Sequence, residues 1–219
     1  MPTHMTGVSP VPMDRSRRSI WSTSASLVPG TLLLVALTAC NTVSSLHYLP
    51  GSPVRTAAVP SVSAATAADQ RKEAPTRLAT IMGGYGNPLK TLDTAKPVKD
   101  EVADAFTEGL RARGMLVPNG PAPYRLSLVV RKFDADMIMG RTARIDVSMS
   151  VTDQTGRVVF QDEAADSQSD FKFFQTGVFA DIADLRVLAE TVQNRAVDKL
   201  LDNPAFRSAV ATTINSASR

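Results

Sequence analysis

Cysteine occurs once in 219 residues and histidine twice, at His4 and His47. A single thiol, Cys40, leaves no intramolecular disulfide and no thiolate cluster, so the fold must stand on its hydrophobic core and zinc has no ordinary site. With His47 in a linker-like stretch, a Ser-His-Asp triad is not expected, and no other side chain offers a general base tuned near neutrality. Calcium is the metal chemistry left to weigh. Asp134 and Asp136, and the series Asp162, Glu163, Asp166 and Asp170, lack the spacing and turn glycine of a calcium loop. No metal, no cofactor and no catalytic residue are therefore expected, and the chain is not read as an enzyme. Long apolar runs are missing too, since the stretch from Leu27 to Ala39 is too short to cross a bilayer as a helix. Gly83-Gly84-Tyr85-Gly86 lacks the Lys-Ser/Thr of a phosphate loop and runs into Asn87-Pro88, so it reads as a turn. The formal charge of +3 is mostly contributed by Arg15, Arg17 and Arg18; the residues from Cys40 onward carry only about +1. Without a massed basic face, nucleic acid is not an expected partner.

What is present is a short, strong signal. A basic cluster at Arg15, Arg17 and Arg18 precedes the apolar run that closes on Leu37-Thr38-Ala39-Cys40, the order of parts in a secretory leader. The tetrapeptide matches a lipobox and so resembles the substrates of lipoprotein diacylglyceryl transferase and lipoprotein signal peptidase. That resemblance implies peptidase recognition of Leu37, Thr38 and Ala39, cleavage before Cys40, and covalent lipid, palmitate included, on Cys40. Of Met1, Met5 and Met13, only Met13 opens a compact leader, and Ser16 to Ile20 reads as an ordinary basic region rather than a twin-arginine signal.

Downstream, residues 40–75 are dominated by Ser, Ala, Thr, Val and Pro with no sustained period, which predicts a flexible tether spanning roughly 30 to 35 Å. His47-Tyr48-Leu49-Pro50 is its least linker-like patch and is read as a local turn within the tether, with a first strand as the alternative. Residues 76–204 read as one α+β domain, followed by a tail at 205–219 with a short helix. Arg77 to Met82 alternates as a strand. Pro97 in a first turn, with Val98, Val102, Ala105, Phe106, Gly109 and Leu110 at helical spacing, predicts a helix ended by Gly114, with Arg111 and Arg113 matched to its dipole. Three antiparallel strands follow: one from Tyr124 through Val130, one through Ala143 to Val151, and one over Arg157 to Gln161, the last two joined by a turn at Asp153 to Gly156. Ile182 to Leu200 gives a second long helix stopped at Asn203-Pro204. The predicted architecture is an antiparallel sheet of about four strands, order β-α-β-β-β-α, with two helices on one face.

Phe171, Phe173, Phe174 and Phe179 hold half of the eight phenylalanines, between an acidic stretch and the second helix. Either the rings fold into the core and staple the helix, or Phe171, Phe173 and Phe174 form a contact for a partner or for lipid. Arg131, Arg144, Asp146 and Arg157 are placed on the solvated face of the sheet.

The lipobox, the tether, and then Val98 to Gly114, Tyr124 to Asp170 and Ile182 to Pro204 in that order resemble the YajG-type envelope lipoproteins. The plan is also similar to the LptE and PqiC-type auxiliary lipoproteins. The resemblance implies a non-catalytic, periplasm-facing domain that binds or assembles with an envelope protein. Lipid or lipopolysaccharide transport and simple bracing of the envelope are the alternative roles. Asn41 after the cysteine resembles the outer-membrane sorting pattern of enteric bacteria.

Overall fold

The computed structural model describes residues 40–51, 54, 59–138, 140–170 and 181–211. Its elements, in chain order, are β1 (Cys40–Ser44), β2 (Thr66–Asp69), β3 (Arg77–Met82), β4 (Pro88–Thr94), α1 (Val98–Ala112), β5 (Tyr124–Met137), β6 (Arg141–Asp153), β7 (Val158–Asp170), α2 (Ile182–Leu201) and α3 (Pro204–Ala211). The α+β class holds, but the sheet is mixed and seven-stranded, in the order β1-β4-β3-β5-β6-β7, with β2 also on β5.

Long β5 organises this sheet. On one side it pairs antiparallel with β6 over its whole length; on the other it is shared, residues 127–130 pairing parallel with β2 and 135–137 parallel with β3. A bulge between Val130 and Lys132 makes the sharing workable. Before it Tyr124, Leu126, Leu128 and Val130 point inward; after it Phe133, Ala135 and Met137 do. A single extra residue shifts the phase of a period-2 pattern, which is why simple alternation predicted a strand only as far as Val130.

β6 runs without interruption, its inward residues buried from Arg141 to Val151. Strand β7 continues to Asp170, through the acidic stretch that the sequence reading left outside the strand ending at Gln161. On its helix-facing side Ala164 joins the core, and the two aspartates that flank it have polar partners: Asp162 accepts from Asn203 Nδ2 at 2.8 Å, and Asp166 meets Arg195 at 2.7 Å. Backbone pairing with β6 sets the strand, while Arg195 on α2 and Asn203 just beyond it engage the two carboxylates.

The helices cover the apolar face. α1 begins where predicted, with Pro97 as the capping residue rather than in the first turn, and stops at Gly114, whose φ of 66° needs a residue without Cβ. Asp181 caps α2 by accepting from Ala183 N at 2.9 Å, and Asn203 accepts from Ala205 N at 2.8 Å to start α3. Phe106, Phe133 and Phe206 are fully buried among the aliphatic side chains of both layers.

The largest departure from the sequence reading lies in residues 40–75. Instead of a free tether, β1 adds in parallel to β4, and β2 adds to β5. Between them Val62 is fully buried, and its neighbours exchange backbone bonds with Met115 and Tyr124. After β2 the Arg71 guanidinium is pinned by Asp69 and by the carbonyls of Pro75, Arg77 and Phe133. Small residues suit such edge segments because backbone pairing, not side-chain burial, holds them. Their period is too short to register in a hydrophobicity pattern.

Candidate functional site

The segment that follows β1, residues 45–51, lies as a strap over α1 and α2, and three carboxylates hold it by its backbone. Glu101 on α1 accepts from Leu46 N at 3.3 Å, Glu190 on α2 accepts from His47 N at 3.2 Å, and Asp198 one turn before the end of α2 accepts from Gly51 N at 2.9 Å. The bond from Leu46 is part-buried and the other two are exposed, so together they fix the strap's path and each adds modest stability.

At its lower end the strap meets a buried arginine. Arg113, the residue closing α1, is fully buried although the sequence presented it as a solvent-facing cation on a helix end. Its Nε and Nη2 donate to the two oxygens of Asp202 at 3.0 and 2.6 Å, Nη2 also donates to Asp198 Oδ1 at 2.8 Å, and Nη1 donates to the Gly109 carbonyl at 3.1 Å and to the Tyr48 hydroxyl at 2.8 Å. The Tyr48 hydroxyl in turn donates to Asp198 Oδ1 at 2.5 Å. Burial alone would weaken the guanidinium's charge; bonds with Asp202, Tyr48 and Asp198 outweigh it and hold Arg113 above its ordinary value. Asp202 is held below the usual carboxylate range, first by Arg113 and then by Arg207.

Tyr48 is pushed up to about 12, chiefly by burial, with Asp198 acting in the same direction and Arg113 against it. A raised phenol value means that the folded state keeps a proton the unfolded chain has lost. The contribution is fully present below pH 10 and declines as pH rises from there toward about 12. Tyr48→Phe is expected to remove the tyrosinate absorbance that develops near pH 12, and to cost about 1 to 2 kcal/mol at neutral pH. Ultraviolet titration paired with urea unfolding checks both; an unchanged titration curve would assign that ionisation to another tyrosine.

Space remains between strap and helix. A cavity of about 570 Å³ is lined by Ser45, Leu46, Leu49, Lys96, Glu101 and Arg111 among others. Glu101 is only 3% exposed, and while its Oε2 takes the Leu46 amide, its Oε1 finds no donor among the described residues.

The opposite face of the sheet is a mesh of surface ion pairs, as expected for a solvated face. Arg131 bridges Asp146 at 2.7 Å and Glu163 at 2.6 Å, and Arg144 binds Asp134 and Asp136. Arg157 departs from the expectation, since it pairs with Asp153 across the β6–β7 turn. Asp134 and Asp136 are thus engaged by one arginine. Among the described residues no group of three or more His, Cys, Asp or Glu side chains could hold a metal ion, and no helix is long and apolar enough to cross a membrane.

Of the sequence-level site residues, Cys40 is the first residue of β1, paired in register with Lys90. Leu37, Thr38 and Ala39, and Phe171, Phe173, Phe174 and Phe179, lie outside the described residues. Sequence reasoning missed Glu101, Arg113, Glu190, Asp198 and Asp202. The available signal was Tyr48, an aromatic in a segment otherwise built of small residues.

No family model and no curated protein matches the chain. Among solved structures, a Xanthomonas campestris protein of the DUF330 family superposes with a TM-score of 0.52 at 16% identity, covering 76% of this chain and 96% of that one; the two share a fold. A minor lipoprotein of Acinetobacter baumannii is similar over 50% of this chain and 86% of its own, at 13% identity and a TM-score of 0.36. The lipoprotein GNA1162 of Neisseria meningitidis is similar over 66% of this chain and all of its own, at 11% identity and a TM-score of 0.29. The likeness to the Xanthomonas protein shows the fold alone.

Proposed function

We propose that this chain is a lipid-anchored envelope lipoprotein, acylated on Cys40, whose non-catalytic α+β domain serves as a binding or assembly accessory at the periplasmic side of the outer membrane. The observation that carries the reading is the position of Cys40 as the opening residue of a paired strand. With β1 on the sheet edge and the strap fixed by Glu101, Glu190 and Asp198, an acyl group at Cys40 would hold the domain close to the headgroups and in one orientation. A tether of roughly 30 Å would instead have let it tumble. Holding a domain this way raises its local concentration for a membrane-bound partner without any turnover.

Globomycin treatment, or Cys40→Ala, is expected to leave an uncleaved precursor without lipid, seen as a slower band and by loss of palmitate labelling. Normal maturation in either case overturns the anchor. Crosslinking in intact cells, followed by mild solubilisation and mass spectrometry of proteins and lipids, tests the accessory role; recovery of the bait alone would speak against it.

A further inference from the structure

The cavity under the strap has an electrostatic imbalance. Glu101 is buried, accepts one long bond from Leu46 N, and leaves Oε1 without a donor. Other charges at the rim pair with each other, Lys96 with Asp104 and Arg111 with Glu108, and all four are solvent-exposed. The site therefore has a buried negative centre lacking a cation and two basic side chains at its mouth. A compact group with several N–H donors would supply what Oε1 lacks. Exposed ion pairs contribute little, so Lys96 and Arg111 can turn from their partners to an incoming anion at small cost.

A zwitterion with an inner ammonium and an outer phosphate matches this order of charge. Position on the chain selects its source. The cavity wall begins at Ser45, five residues from Cys40, within about 17 Å along an extended strand, so an acylated Cys40 would bring it to the headgroup layer. Leu49 lines the same cavity and is 71% exposed, an apolar side chain placed where the glycerol and acyl part of a lipid would follow. We infer that the cavity between the strap and α1 binds the phosphoethanolamine headgroup of a membrane phospholipid, with the ammonium on Glu101 and the phosphate between Lys96 and Arg111. This inference rests on the lipoprotein reading for its choice of a lipid source.

The mature protein, purified in detergent, can be titrated with dihexanoyl phosphatidylethanolamine and with dihexanoyl phosphatidylcholine, following the amide NMR signals of Leu46, Leu49 and Thr107. Saturable shifts with the ethanolamine lipid, at least about tenfold tighter than with the choline lipid, are expected, because a quaternary ammonium donates no hydrogen bond. Glu101→Gln should reduce that affinity about tenfold or more. Ser45→Lys, at an exposed position, should do the same by placing a competing ammonium at the cavity without touching the core. Equal affinity for the two lipids, or unchanged affinity in a folded Glu101→Gln or Ser45→Lys protein, overturns the site. Binding of soluble phosphoethanolamine as tight as that of the lipid overturns the lipid source. None of these readouts depends on lipid at Cys40, which the globomycin experiment tests by itself.

Discussion

Arg113→Met is expected to lower the stability of the domain by about 3 kcal/mol and its thermal midpoint by about 6 to 12 °C. The side chain is fully buried and every one of its donor nitrogens is engaged. Methionine fills much of the same volume, so the loss comes mainly from the groups left behind. Asp198 and Asp202 keep their charge and lose their cation, Tyr48 loses a donor, and the Gly109 carbonyl loses one as well. The two carboxylates are partly open to water, Asp202 more so, which keeps the cost at the lower end of the range for a broken buried pair. The pH dependence separates this mechanism from simple loss of packing. In the native protein the Asp202 pKa lies below the ordinary carboxylate value, so its contribution is present above that ordinary value and is lost as pH falls through the lower, folded one. Removing Arg113 removes that contribution at neutral pH but leaves nothing to lose in acid. The gap between native protein and variant should thus narrow below about pH 4, measured by urea unfolding across pH. A gap that stays constant down to pH 2 would mean that packing alone accounts for it.

The arginine also shows where the sequence was legible and where it was not. Helices α1 and α2, strand β6 and the turn at Asp153 to Gly156 each carry their own pattern, and each lies close to where that pattern put it. β4 had no pattern of its own: Pro88, Lys90 and Asp93 interrupt the alternation, and the strand exists because β3 and β1 pair with it from both sides. Strands β1 and β2 are five and four residues of small side chains whose stabilisation is almost wholly backbone pairing. Local composition holds no record of such pairing. The same limit hid the strap site. Arg113 behind Arg111 and before Gly114 is what a helix end looks like when its cations face water, and only the arrival of Asp198, Asp202 and Tyr48 from distant positions turns one of them inward. Glu101 was equally mute, an acid in the first turn of a helix where acids are common.

A consequence follows for how the domain would meet a membrane. The strap is attached to both long helices, and the helices are attached to each other and to the sheet, so a force applied at Cys40 passes into the core without a flexible joint between. β1 carries it to β4, and Arg113 carries it to the ends of α1 and α2. With Cys40 acylated as proposed, the domain would be held at a set angle to the headgroups.

Gly109→Leu tests the tightest part of that connection, and its expected effect is a loss of about 2 to 3 kcal/mol. A Cβ at Gly109 would stand 2.7 Å from Leu201 Cδ1 and 2.8 Å from Val197 Cγ1, closer than side chains tolerate. Glycine in a helix interior is itself unfavourable by about 0.5 to 1 kcal/mol relative to alanine, so a close helix crossing explains its presence there. Gly109→Ala should already destabilise, though less than leucine: better helix propensity, worth about 1 kcal/mol, offsets only part of the cost of displacing the Leu201 methyl and the stiffer Val197. Leucine adds three more carbons in a place with no room and must separate α1 from α2, at a cost typical of overpacking toward the high end. Separation has a second effect, because Gly109 is one turn before Arg113, and Asp198 and Asp202 lie on the other helix. Pushing the helices apart lengthens the bonds that hold the arginine. The two variants should consequently be coupled: Arg113→Met in the Gly109→Leu background should cost at least 1 kcal/mol less than it does alone, read from a double-mutant cycle. Strict additivity would show that the crossing and the arginine act independently, and would remove the path by which the strap and the helix pair support each other.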